Sequence, residues 1–65
     1  MSTLEWMFYN ETRARLENAK EAKISSLAEG LCPSYEDYKM GVGYVAALND
    51  ALAALEDIKA RISGG

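Results

Sequence analysis

Cys32 beside Pro33, the carboxylates Glu36, Asp37, Asp50, Glu56 and Asp57, and the glycine pair Gly41 and Gly43 are the residues here with reactive potential. A nucleophilic thiol needs a base and an orienting group beside it. The chain has no histidine, the commonest general base and metal ligand. The carboxylates do not follow calcium-loop spacing. Met40-Gly41-Val42-Gly43 lacks the Gly-x-x-x-x-Gly-Lys-Ser/Thr frame of a phosphate loop. A lone cysteine cannot close an internal disulfide and suits a reducing compartment. No residue is therefore assigned a catalytic, cofactor-binding or metal-binding role. The expectation is a protein that is not an enzyme and carries no cofactor.

Arg13, Arg15, Lys20 and Lys23 form the one basic concentration, interleaved with Glu11, Glu17 and Glu21. On a helix these become pairs, Glu11 with Arg15 and Arg13 with Glu17. The net charge is −3 and the isoelectric point about 4.7. No basic face exists to displace phosphate counterions, so direct nucleic-acid binding is not expected. Nor is a membrane partner: there is no eighteen-residue apolar run and no basic segment leading an apolar one. The second helix also has an acidic polar face where an interfacial helix needs a basic one. The chain reads as soluble and cytosolic, or assembled in the cytosol.

The elements that position these residues are all helical. Ser2-Thr3-Leu4-Glu5 has capping-box spacing, so a helix can begin almost at once. Gly30 after Glu29 is placed for a left-handed cap, Pro33 forbids continuation, and Ser34 with Asp37 starts a new cap. Glu36 and Asp37 sit at the positive end of the new helix. The reading is an all-α chain, one helical-hairpin domain over residues 1–65, with a helix at 3–29, a turn at 30–34 and a helix at 35–62. So short a connection brings the helices back antiparallel.

Steps of three and four through the second helix pick out Tyr38, Gly41, Val45, Leu48, Leu52, Leu55, Lys59 and Ile62, a heptad-like seam. On the first helix the matching stripe is thinner: Leu16, Ala19, Ile24, Leu27 and Ala28, continuing to Leu31. Lys20 and Lys23 border it and can lay their stems along it. Gly41 and Gly43 each cost the helix about 1 kcal/mol. Gly41 lies on the seam, where a missing side chain lets a neighbouring helix approach.

A second stripe, Tyr44, Ala47, Ala51, Ala54 and Ile58, runs beside the seam and needs a partner of its own. Trp6, Met7, Phe8 and Tyr9 are consecutive, about 100° apart around the axis, so one neighbouring helix cannot cover them all. Aromatic residues and methionine are enriched at buried interface centres, which favours an intermolecular contact; the alternative is a small aromatic cap over the open end of the hairpin. Trp6, Met7, Phe8, Tyr9, Tyr44, Ala47, Ala51 and Ala54 are the candidate protein-interaction residues. Sixty-five residues, 49% hydrophobic and 26% charged, are too apolar for disorder yet build only a small core. Oligomerisation, or docking to something larger, is expected to complete the fold.

The stretch Gly30-Leu31-Cys32-Pro33-Ser34-Tyr35-Glu36-Asp37-Tyr38, with Gly41-Val42-Gly43-Tyr44-Val45-Ala46-Ala47-Leu48 and Ala51-Leu52, resembles short helical-hairpin proteins encoded among the head and packaging genes of tailed bacteriophages. The resemblance spans residues 30–55. The Gly-Leu step usual in the second helix of that family is Ala47-Leu48 here. It implies a small accessory component of a virion, at the capsid or at the portal and neck, assembled in the host cytoplasm. Capsid or portal proteins, and further copies of the chain, would then be the partners. A different class of function fits the same stripes: a homodimeric four-helix bundle that binds and inhibits a cellular protein.

Overall fold

The structure, a computed structural model, describes residues 2–30 and 33–64. It is an all-α helical hairpin of two elements, α1 (Thr3–Ala28) and α2 (Tyr35–Ser63). Each helix differs by one residue from its expected end: Glu29 serves as the cap of α1, and Ser63 extends the last turn of α2. The hairpin measures 46 × 16 × 11 Å, about the length of one helix of 29 residues at 1.5 Å per residue.

Local chemistry sets where the helices begin and stop. The Ser2 hydroxyl accepts from the Glu5 N–H at 3.2 Å, and the Glu5 carboxylate accepts from the Ser2 N–H at 3.2 Å, a reciprocal cap. The hydrogen bond from the Ser2 backbone, then that from its side chain, holds the Glu5 carboxyl below the usual glutamate range. Past Glu29, Gly30 takes φ +70°, the left-handed conformation that glycine adopts without a Cβ penalty. Its N–H donates to the Leu27 carbonyl at 3.2 Å. At the restart the Ser34 hydroxyl accepts from the Asp37 N–H at 3.1 Å.

Between the helices α2 presents Gly41, which is buried, and Val45, Leu48, Leu52, Leu55 and Lys59, which are half-buried. Facing them, α1 turns in Tyr9, which is buried, with Thr12, Leu16, Ala19, Lys20, Lys23 and Leu27 half-buried. The two lines advance by threes and fours, the step that keeps one face of each helix towards its neighbour. Closest approach is near the turn. A methyl placed on Gly41 would lie 2.7 Å from Leu27 Cδ2. Glycine there leaves room for the Leu27 side chain, which would have to shift to admit a Cβ.

Four residues expected on the inward stripes stand elsewhere, among them Ala28, which is exposed one helical step beyond Leu27. Ile24 is exposed because the inward line of α1 passes through Lys23 and Leu27, and Ile24 lies about 100° round from Lys23. It flanks a shallow hollow with Leu27, Ala28, Tyr38, Val42 and Val45. Tyr38, also exposed, covers the other side of that hollow rather than the centre of the seam. Ile62 is exposed at the open end, one turn beyond Lys59, where the start of α1 no longer covers α2. The seam position expected at Leu31 lies outside the described residues.

Candidate protein-interaction surface

The four residues expected to act together at Trp6 to Tyr9 are divided among different surfaces. Tyr9 lies on the inward line with Thr12 and Leu16, so it packs into the hairpin and is only 5% exposed. This corrects its expected place at an intermolecular contact. Trp6, Met7 and Phe8 remain exposed, Trp6 on one flank, Phe8 on the opposite flank and Met7 facing away from α2. The helical step of about 100° causes the division.

Tyr9 anchors a clasp at the open end of the hairpin. Its ring stacks on that of Trp6, with centroids 5.5 Å apart and planes 26° from parallel, within the range of favourable aromatic pairs. Lys59 Nζ, from α2, sits 5.0 Å from the Tyr9 ring centre and 5.3 Å from that of Trp6, a cation over both faces. The Tyr9 hydroxyl donates to the Glu56 carboxylate, which also lies 3.6 Å from Arg13 Nε. Arg13 is in turn 3.9 Å from Glu17. The hydrogen bond to Glu56, then burial, raises the Tyr9 hydroxyl above the ordinary tyrosine pKa. At neutral pH it is therefore a fixed donor and a poor acid. The arrangement ties α1 to α2 and has no nucleophile–base geometry.

On the flank opposite Trp6 the helices part. Leu4 and Phe8 of α1, with Leu55, Ile58 and Ile62 of α2, line an apolar groove of about 450 Å³. Leu4 is 76% and Phe8 72% exposed, far more than a folded chain leaves open at adjacent large apolar residues without use. The same flank continues along α2 through Ala54, Ala51 and Ala47, all exposed, to Tyr44 and Met40. Lys23 Nζ lies 5.3 Å from the centre of the Tyr44 ring, holding that ring at the edge of the hairpin.

The expected interaction residues Trp6, Met7, Phe8, Tyr44, Ala47, Ala51 and Ala54 all lie at the surface. Of these, Phe8, Tyr44 and the alanines share one flank. Ile58, expected on the same stripe, lies there too, whereas Leu4 and Met40 were not singled out from the sequence and Ile62 was expected on the seam. The missing signal was the inward line of α1: carried back from Lys23 through Ala19, Leu16 and Thr12 to Tyr9, it fixes the flanks of the first turns as well. Glu56 as the mate of Tyr9 has no local signal, since 47 residues separate them.

Among the described residues no group of three His, Cys, Asp or Glu side chains is placed to hold a metal ion, and no helix is long and apolar enough to cross a membrane. No protein-family model, curated protein or solved structure matches the chain.

Proposed function

We propose that this chain is a non-enzymatic accessory component of a larger protein assembly, bound through its apolar flanks. One observation carries the reading. Twelve large hydrophobic residues are exposed, whereas Tyr9 is the one large hydrophobic side chain buried among the described residues. A hairpin with that imbalance gains more apolar burial by docking than by its own packing. Leu4 and Phe8, exposed at the start of α1, are the anchors, since a few large apolar side chains dominate interface energetics. Trp6 is half committed to the clasp with Tyr9 and Lys59, so its part in docking is secondary.

The resemblance of residues 30–55 to hairpin proteins of tailed-phage head regions supports a virion as that assembly, with the capsid shell or the portal and neck as the docking partner. Its work there is adhesive. The test is fractionation of a lysate in which the chain is made from its own genome. The chain is expected to band with virions on a density gradient, and Phe8→Asp is expected to return it to the soluble fraction. A wild-type chain wholly in the soluble fraction, in a lysate that contains virions, overturns the virion reading.

A further inference from the structure

We propose that the flank of α2 through Met40, Tyr44, Ala51, Ile58 and Ile62 is covered by a second copy of this chain, laid antiparallel about a two-fold axis at Ala51. This rests on the reading that the apolar flanks are covered by protein, and it names what covers one of them. The flank lies a quarter-turn from the seam and is exposed along its whole length. From Met40 to Ile62 the residues of this line carry no charge: Met, Tyr, Ala, Ala, Ala, Ile and Ile.

The order of sizes along the line identifies the occupant. Tyr44 and Ile58 stand seven residues to either side of Ala51, and Met40 and Ile62 stand eleven. A two-fold interface presents the same patch on both subunits, so that patch must complement itself. An antiparallel copy centred on Ala51 sets Tyr44 against Ile58 of the second copy, and Met40 against its Ile62. Alanine then meets alanine in the middle. Two helices that cross at an angle are closest at the crossing point and diverge on both sides. Small residues at the centre and large ones at both ends match that shape. An unrelated partner has no need of such a symmetric profile.

The exposed area agrees. The chain exposes 4877 Å², whereas a folded monomer of 7.1 kDa exposes about 4,100 Å². The excess, about 800 Å², is what one partner contributes to a standard-size interface. The product is a four-helix bundle that leaves the Trp6–Lys59 flank free for a different partner.

Sedimentation equilibrium with circular dichroism tests this on the wild-type chain and on Ala51→Glu. Ala51 is exposed in the single hairpin, so a carboxylate there meets solvent unless a second copy brings two of them together. The wild type is expected at twice 7.1 kDa, and Ala51→Glu at the mass of one chain. A helical or unfolded wild type of single-chain mass overturns the proposal, as does an Ala51→Glu chain that remains dimeric. Should Ala51→Glu unfold, cross-linking decides. In a Cys32→Ser background, Ala51→Cys is expected to give a covalent dimer with a short bismaleimide, and Ala46→Cys, on the far side of α2, is not. Equal or reversed cross-linking overturns the axis. A single-chain wild type that still bands with virions removes the second copy alone; a dimer absent from virions removes the virion reading alone.

Discussion

The hydroxyl of Tyr9 donates to the carboxylate of Glu56 across 47 residues of sequence, joining the second turn of α1 to the later half of α2. This contact, with Lys59 above the same ring, fixes which side of α1 faces α2 at the open end. It thereby determines that Phe8 and Leu4 are left to a partner. Removing the hydroxyl with Tyr9→Phe keeps the ring packed and deletes the tether. The midpoint of thermal unfolding is expected to fall by a few degrees, read by circular dichroism, because a hydrogen bond to a charged acceptor is lost. An unchanged midpoint shows that the tether does not hold the helices in register.

The same pair gives a pH dependence with a definite sign. The folded pKa of Tyr9 is raised. Its contribution is therefore complete below the ordinary tyrosine value, about 10, and is lost as pH rises through the higher folded value. The folded pKa of Glu5 is lowered, so its contribution is present above the ordinary glutamate value, about 4.3, and disappears as pH falls through the lower folded value. Helical signal is expected to hold steady between these limits and to decline at both. In Tyr9→Phe the alkaline decline should weaken and the acid one persist. An identical alkaline decline in both proteins assigns it to other groups.

Gly41 and Gly43 are expected to respond oppositely to alanine. Nothing lies within 4 Å of a methyl on Gly43, so Gly43→Ala gains about 1 kcal/mol of helix propensity, a rise of about 4–8 °C in the unfolding midpoint. At Gly41 the methyl meets Leu27 at 2.7 Å, and displacing a packed side chain costs about 1–3 kcal/mol, cancelling or reversing that gain. Thermal melts of the two variants decide it. A Gly41→Ala protein as stabilised as Gly43→Ala means the helices are farther apart at the turn.

Lys59 is expected to act through the two rings beneath it. Lys59→Ala removes a cation–π contact of about 0.5–1 kcal/mol and uncovers Trp6, the one tryptophan in the chain. Its emission should shift to longer wavelength while the protein stays helical. Lys59→Met keeps the stem and should shift it less. No shift in either variant shows that Lys59 does not cover Trp6 in solution.

Leu52 is half-buried between the helices, beside a hollow that Arg13 and Lys59 also line. Leu52→Asp is expected to lower the helical signal and the unfolding midpoint, since apolar packing on the seam is lost and those cations offset only part of the cost of drawing a carboxylate out of water. A variant as helical and compact as the wild type shows that Leu52 does not lie between the helices.

How much of this was legible in the chain depends on how local each signal is. The caps at Ser2 and Ser34 and the break at Gly30 and Pro33 depend on neighbours within four residues, so spacing alone revealed them. On α2 the apolar residues are dense enough that steps of three and four single out the line Gly41, Val45, Leu48, Leu52, Leu55 and Lys59. On α1 the inward line includes Thr12, Lys20 and Lys23, whose stems are apolar but whose heads are not. The apolar pattern there is correspondingly weak, and Ile24 looked a better seam residue than it is. Only the tertiary structure turned Tyr9 inward, because its mate Glu56 and its cover Lys59 come from the other helix. By the same contacts it sorted the run Trp6 to Tyr9 into one residue that holds the hairpin shut and three left at the surface. Side-chain type is a property of the sequence. The face each residue presents is set by the rotation of one helix against the other, and that is decided by contacts across the whole chain.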